Sequence, residues 1–185
     1  MTDAATLRPI PRAAIGDMAA LLDAPPLRGR VSVVESGLVF YLRSLAPPAG
    51  WAEHASSEAE RIDGPGNLFV VGLRSGEAIV VSDDDAAMKR LLERTNETDV
   101  IVDRSHGSIV FDLRGDVDAW LARLADAAAI PRVPGRGTRL RCIDVSAVVL
   151  RLAPERAWVV ADRSVDHYVC RWLAYALDGT LSDRQ

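Results

Sequence analysis

Four consecutive residues, Asp103, Arg104, Ser105 and His106, include all the residue types of a hydrolytic triad. A triad needs its three side chains to converge in space, with the nucleophile on a strained and exposed turn. Neighbouring residues in a turn point in different directions, and no Gly-x-Ser-x-Gly motif surrounds Ser105. We therefore interpret the cluster as a polar turn with His106 near a hairpin tip, and keep a hydrolase built on Ser105 and His106 as the weaker alternative.

No other part of the sequence has the spacing of a metal, nucleotide or catalytic site. His54, His106 and His167 are too scattered to share a metal ion. The glycines of the 134–137 loop precede a predicted strand, whereas a phosphate cradle follows a strand and opens a helix. The acidic run Asp83–Asp85 fits the start of a helix better than a metal site. The sequence therefore predicts no catalytic, cofactor-binding or metal-binding residue in this chain.

Composition indicates an ordinary globular protein. The 185 residues are 49% apolar and 26% charged, and the formal net charge of −4 argues against nucleic-acid binding. No apolar run is long enough to span a bilayer, and the N-terminus does not resemble a leader sequence. Cys142 and Cys170 show no disulfide or metal spacing, so we expect two buried, reduced thiols. We therefore expect a soluble, cytoplasmic protein without membrane contact.

The elements that must position these residues fall into an arm and two halves. Residues 1–30 are rich in proline, alanine and arginine, and we interpret them as an extended arm with one short helical patch. The arm lies either on its own domain or on a partner, and we expect burial at the partner interface. Residues 31–97 form the first α+β half and residues 98–185 the second, together one compact unit. Each half is expected to place helices on one face of an antiparallel or mixed sheet.

In the first half, the 31–44 stretch is predicted to be a strand or hairpin with alternating faces, and the 51–62 stretch a helix. The 67–73 and 77–81 stretches form a predicted hairpin, followed by a helix for which Asp83 can be the N-cap.

In the second half, the 99–102 and 108–113 strands flank the 104–107 turn, and a helix containing Trp120 follows. Three more strands, at 138–145, 147–152 and 156–161, lead to a final amphipathic helix with Ser164 as its candidate N-cap. Trp158, in the middle of an apolar strand, is expected in the core.

The second half resembles a known family pattern. The segment Val102-Asp103-Arg104-Ser105-His106-Gly107, the following apolar strand, the Arg114-Gly115 turn and the Trp120 helix match the gamma subunit of heterotetrameric sarcosine oxidase in type and order. The arginine-rich strand TRLRCIDV, the strands AVVLRL and RAWVVADRS and the final helix YVCRWLAYAL continue the match. Because that family is related in fold to the folate-binding aminomethyltransferases, the resemblance implies an aminomethyltransferase-like α+β fold.

The resemblance also implies a function. It places this chain in a complex that oxidatively demethylates sarcosine to glycine, as a non-catalytic subunit acting in assembly and stability against the large alpha subunit. The alpha and beta subunits would be its partners, and FAD, FMN, NAD and tetrahydrofolate would be bound by those partners rather than by this chain.

Two alternatives stay open. One is the small subunit of a related N-methyl amino acid dehydrogenase. The other is a free-standing folate-binding, one-carbon-transfer protein, which needs a pocket carboxylate to hold the pterin ring. Asp103, Asp112 and Asp144 are the candidates for that carboxylate, although the alternation around Asp112 predicts that it faces solvent.

Overall fold

A computed structural model describes residues 16–44, 58–61, 66–74, 76–95 and 97–178. The structure contains four helices and ten strands in these ranges. In chain order they are α1 (Gly16–Leu22), β1 (Val31–Val33), β2 (Leu38–Arg43), β3 (Glu58–Arg61), β4 (Leu68–Arg74), β5 (Glu77–Ser82), α2 (Asp85–Leu92), β6 (Val100–Asp103), β7 (Ser108–Arg114), α3 (Val117–Ala122), β8 (Arg136–Cys142), β9 (Val145–Ala153), β10 (Arg156–Asp162) and α4 (Asp166–Asp178). Short 3-10 turns at Ser105–Gly107 and Arg163–Val165 precede β7 and α4.

The ten strands form one antiparallel sheet in the order β1-β7-β10-β9-β8-β3-β4-β5-β2-β6. The two ends of the sheet lie next to each other. The chain runs from β1 directly into β2 and from β6 directly into β7, so the β1–β7 pair at one end continues into the β2–β6 pair at the other. Val33 lies opposite Phe111 and Phe40 lies opposite Asp103, so the pairing slips by only one residue between the two strand pairs. The sheet is therefore folded round into two layers that face each other.

Three apolar clusters hold these layers. The inner cluster lies between the layers and is centred on Trp158, whose ring meets Phe69 edge-on at 6.2 Å. Helices α1, α3 and α4 cover the outer face of one layer, and α2 covers the outer face of the other. The alternation predicted for β2 is confirmed, since Phe40 joins the α2 cluster and Val39 joins the inner one. Trp158 is in the core as expected, and the α+β class is confirmed.

Three local predictions were wrong in whole or in part. Glu58–Arg61 is a strand that joins β4 to β8, not the end of a helix, and residues 51–57 and 62 of that predicted helix lie outside the described residues. For the strand or hairpin predicted at residues 31–44, the strand alternative is confirmed by β1 and β2, and only the hairpin is wrong, because β1 and β2 do not pair with each other. The 104–107 turn is likewise not a hairpin tip. It joins β6 to β7, which do not pair with each other but pair with the successive strands β2 and β1.

Two helix caps are also shifted from the predicted positions. Asp84, not Asp83, is the N-cap of α2, because its side chain accepts the N–H groups of Ala86 and Ala87. Asp83 instead accepts hydrogen bonds from the backbone and side-chain amides of Asn67. Before α4, Asp162 is the N-cap of the 3-10 turn Arg163–Val165, and it accepts from both the N–H and the hydroxyl of Ser164.

The N-terminal region packs on the chain itself from Gly16 onward. Helix α1 contacts α4, and the side chains of Met18 and Leu27 are fully buried in the outer cluster. For this part of the arm, the expectation of burial at a partner interface was wrong. Residues 1–15 lie outside the described residues. The division between residues 97 and 98 stays a prediction, and strand pairing crosses it, since β1 pairs with β7 and β6 with β2.

Candidate functional site

The turn between β6 and β7 contains the cluster that suggested chemistry. Its first hydrogen bond is local: the N–H of Ser105 donates to Asp103 Oδ1 at 2.7 Å. Its second joins the turn to β2, because the N–H of Arg104 donates to the carbonyl of Val39 at 2.8 Å. The turn thus fixes the point where the pairing slips by one residue.

Ser105 completes this joint with its side chain. Its hydroxyl accepts the N–H of Val39 at 2.9 Å and donates to the carbonyl of the same residue at 3.3 Å. The residue is only 2% exposed, whereas His106 is exposed. A hydroxyl held by backbone groups and shielded from solvent cannot reach a substrate, so the hydrolase alternative was wrong. The polar turn is confirmed, but its predicted place at a hairpin tip is not.

A cleft opens between the two layers beside this turn, with a volume of about 310 Å³. Apolar side chains of β2 and β5, including Val39 and Ile79, line one wall. The opposite wall comes from β8, β9 and β10, and the polar groups of Arg104, Arg139 and Asp162 lie at its rim. This volume is at the lower end of the range for small-molecule sites.

The charged groups of the cleft are paired but remain in water. Arg104 and Asp162 form an ion pair of 3.6 Å between side chains that are about half exposed. The pKa of Asp162 lies below its usual value, mainly because the hydroxyl and N–H of Ser164 donate to it, with a smaller contribution from Arg104. Arg139 donates from Nε to the hydroxyl of Ser146 at 2.8 Å. Solvated, paired groups of this kind suit weak binding of a polar molecule. General acid–base catalysis instead needs a group whose pKa lies near the working pH.

The three carboxylates considered for pterin binding lie elsewhere. Asp103 and Asp144 are exposed, and they hold the turn and Arg141, respectively. Asp112 is only 3% exposed, so the expectation that it faces solvent was wrong. It accepts two hydrogen bonds from Arg156, at 2.8 and 3.0 Å, and two from Arg114, at 3.1 and 2.9 Å.

The burial of Asp112 follows from the place of β7. This strand is covered on both faces, by the inner cluster and by the α1, α3 and α4 cluster. Burying a carboxylate is costly unless it is paired and hydrogen-bonded, and two guanidinium groups meet that requirement here. Asp112 is therefore a structural anchor and not an available ligand.

The remaining candidate groups also have structural positions. Cys142 and Cys170 are buried and unbonded to each other, as expected, and burial raises the pKa of each thiol to about 11. Within the ranges that the structure describes, no three metal-binding side chains lie together. Over the same ranges, no helix is long and apolar enough to cross a membrane.

Sequence reasoning missed the polar rim of the cleft. Arg139 faces away from the outer core because it alternates with Leu140 along β8, and that alternation is visible in the sequence. Their shared place is not visible in the sequence, because Arg104, Arg139 and Asp162 line one cleft only once the sheet has folded round. Asp162 could have been found as a cap, two residues before Ser164.

A second surface is formed by α4. Tyr168, Trp172 and Tyr175 form a row along the helix, in edge-to-face contacts of 6.3 and 5.2 Å between ring centres. The two tyrosines are exposed and Trp172 is half-buried against the outer cluster. Exposed rows of tyrosine and tryptophan are typical of protein–protein contact surfaces.

Comparison with known proteins identifies the fold. Neither the protein-family models nor the curated protein sequences contain a match. Among solved structures, a chain of the heterotetrameric sarcosine oxidase from Corynebacterium sp. U-96, in complex with pyrrole 2-carboxylate, superposes with a TM-score of 0.68. The fold is that of a sarcosine oxidase chain. The match covers 87% of this chain and 93% of the other at 17% identity, so the two chains are similar in length.

A second solved structure extends the likeness. The glycine cleavage system aminomethyltransferase T from Bartonella henselae superposes with a TM-score of 0.51 at 12% identity. The match covers 80% of this chain but only 46% of the aminomethyltransferase, so this chain spans about half of that protein. For the fold, both likenesses confirm the resemblance indicated by the 102–107 motif.

Proposed function

We propose that this chain is the gamma-type small subunit of a sarcosine oxidase-type complex, one that oxidatively demethylates sarcosine to glycine. Its role in the proposal is assembly and stability, by packing against the large alpha subunit in the cytoplasm. The observation that carries the proposal is the superposition on a heterotetrameric sarcosine oxidase chain over nearly the full length of both chains.

The chemistry of the described residues supports an assembly role. The cluster that resembles a triad is a joint between strands, with the Ser105 hydroxyl bonded to the backbone of Val39. The buried carboxylate of Asp112 is held by two arginines. In the proposal, FAD, FMN, NAD and tetrahydrofolate are bound by the alpha and beta subunits, which carry out the oxidation.

The aromatic row on α4 supports the presence of a partner. Tyr168 and Tyr175 each expose about two fifths of their surface, and aromatic side chains in such positions contribute strongly to binding when a partner covers them. The proposal predicts that the partner subunit covers this row on assembly.

Co-expression tests the proposal. The alpha and beta chains of the oxidase from the same genome are produced with and without this chain, and flavin content and sarcosine oxidation are measured after gel filtration. We expect a stable, active complex only when this chain is present, and no flavin absorbance in this chain alone. A lone chain that binds flavin and is bleached by sarcosine would contradict the proposal.

The related dehydrogenase alternative differs only in substrate. Comparing sarcosine with N-methylglutamate as substrates of the assembled complex separates the two possibilities. A complex that oxidises only N-methylglutamate would assign this chain to the related enzyme.

One observation favours the folate-binding alternative. The cleft beside Asp162 offers an ionised carboxylate at the edge of an apolar wall, on a fold that is similar to an aminomethyltransferase. Titration of the lone chain with tetrahydrofolate, followed by tryptophan fluorescence, tests this function. Saturable quenching that Asp162→Asn weakens would support it, and no quenching in the parent chain would exclude it.

A further inference from the structure

A groove of about 740 Å³ lies between the 128–133 loop and strand β8. Its charged lining residues are all arginines, and we call it the arginine groove: Arg132, Arg136, Arg139 and Arg141. Arg141 forms an exposed ion pair with Asp144 at 2.9 Å, and among the described residues the other three have no carboxylate partner. The chain as a whole has a net charge of −4. The groove is therefore a concentrated positive patch on an acidic protein.

Two of these guanidinium groups are entirely available to an anion. Arg132 and Arg136 are exposed, and neither side chain forms a hydrogen bond or an ion pair with any residue that the structure describes. Arg139, which also borders the cleft, uses only its Nε, as a donor to the Ser146 hydroxyl at 2.8 Å. An arginine carries five N–H donors, so most of the donors in the groove are directed at solvent.

The arginine groove also has an apolar part. The side chains of Ile130 and Leu140, which line it, are buried in the outer cluster below. Val133 lines it as well and is 62% exposed, more than any other large apolar side chain in the described ranges. Arginine is enriched in protein interfaces, where its planar group binds carboxylates through paired hydrogen bonds. The groove therefore fits a segment that combines carboxylates with an apolar side chain.

Charge and exposure distinguish between possible occupants. A second copy docked symmetrically would bring the same arginines together, and like charges in contact repel. A small anion is normally enclosed by its site, whereas all four arginines here are exposed. A nucleic acid needs a basic face that extends over many phosphates, and this chain is acidic overall. An acidic protein segment needs only the groove itself.

We propose that the arginine groove docks an acidic, extended segment of the large subunit, whose carboxylates bind Arg132 and Arg136 and whose apolar side chain packs against Val133. The inference rests on the proposed function and adds the chemistry of the contact to it. Each guanidinium group can bind a carboxylate through two parallel hydrogen bonds, which selects aspartate and glutamate over neutral acceptors. Recognition of acidic motifs by clustered arginines is a recurring mode of peptide binding.

Two matched double variants test the groove in the co-expressed complex. The groove variant, Arg132→Gln with Arg136→Gln, should keep the melting temperature of the lone chain, because neither side chain has a partner among the described residues. We expect its association with the large chain to weaken by on the order of ten-fold, the combined effect of losing two charge-assisted contacts. The control, Arg90→Gln with Arg94→Gln, removes the same charge from exposed positions at α2. It should change association by less than about two-fold.

Salt dependence is a second measurement on the same proteins. Association of the parent chain with the large chain should weaken as the salt concentration rises, because salt screens exposed ion pairs. Association of the groove variant should depend less on salt than that of the parent chain and of the control. An equal salt dependence in the parent chain and the groove variant would contradict ion pairing in the groove.

Photo-crosslinking identifies the occupant. With Val133→p-benzoylphenylalanine, a crosslink to a large-chain peptide rich in aspartate and glutamate supports the proposal. A crosslink to a large-chain peptide without acidic side chains, to a second copy or to residues 45–57 of the same chain overturns it. Binding of single-stranded RNA that the groove variant loses, with its association to the large chain unchanged, also overturns it.

The co-expression result separates this inference from the proposed function. If the parent chain assembles and the groove variant assembles equally well, the docking site is wrong and the proposed function stands. If the parent chain does not bind the large chain at all, both fail.

Discussion

Replacing Ser105 by alanine tests the interpretation of the 103–107 turn as a joint. The substitution removes the acceptor of the Val39 N–H, at 2.9 Å, in a place where both residues are buried. The carbonyl of Val39 keeps a donor, because the N–H of Arg104 still reaches it at 2.8 Å. The substitution therefore leaves one buried backbone N–H, that of Val39, without an acceptor.

The expected loss of stability follows from this single unpaired N–H. A buried backbone N–H without a partner costs about 1–3 kcal/mol, and removing one oxygen atom leaves little cavity. For a protein of this size, a loss of about 2 kcal/mol lowers the melting temperature by roughly 4–8 °C. His106→Ala, at the next and exposed position, should change stability by less than about 0.5 kcal/mol.

Urea and thermal unfolding of the purified chain measure both variants. The reasoning is refuted if Ser105→Ala unfolds within about 0.5 kcal/mol of the parent chain, or if His106→Ala is destabilised as strongly. A catalytic Ser105 predicts the opposite pattern, with stability unchanged and hydrolytic activity lost.

Two further predictions concern backbone space and buried thiols. Gly115 has a φ of +126°, and a Cβ there would lie 2.6 Å from the ring of Trp120, whereas Gly29, at φ +73°, has open space around it. In urea unfolding, Gly115→Ala should therefore lower the free energy of unfolding by about 3 kcal/mol or more, and Gly29→Ala by about 1 kcal/mol. Equal losses would contradict the close contact of the added Cβ with Trp120. Burial raises the thiol pKa of Cys142 and Cys170 from 9.0 to about 11 in the folded chain, so their stabilising contribution is complete below pH 9 and is lost as the pH rises toward 11. The double variant Cys142→Ala with Cys170→Ala should lose less free energy of unfolding between pH 8 and pH 10.5 than the parent chain does. An equal loss in the variant and the parent chain would show that the two thiols are not its source.

The periodic part of the fold could be predicted from sequence. The two faces of β2 follow from the alternation of Phe40 with Val39, and the β4–β5 hairpin follows from Gly76, which adopts a φ of +73°. Both depend on residues that are close in sequence. Local pattern is sufficient there because the period of a strand assigns each side chain to a face.

The remaining features depend on distant partners. Glu58–Arg61 has a helical composition, but forms a strand because it fills the place between β4 and β8. Asp112 alternates as a solvent-facing residue does, but β7 is covered on both faces and two arginines hold the carboxylate. The cleft at Asp162 exists only where the folded sheet brings β10 close to β2.

We propose that this chain is one subunit of an oxidase and not an independent protein. Affinity purification of the tagged chain from a lysate of its native cells, with mass spectrometry and a sarcosine oxidation assay of the eluate, tests it most directly. We expect recovery of two larger, flavin-containing chains and sarcosine-dependent activity. Recovery of the chain alone, folded and abundant, would contradict it.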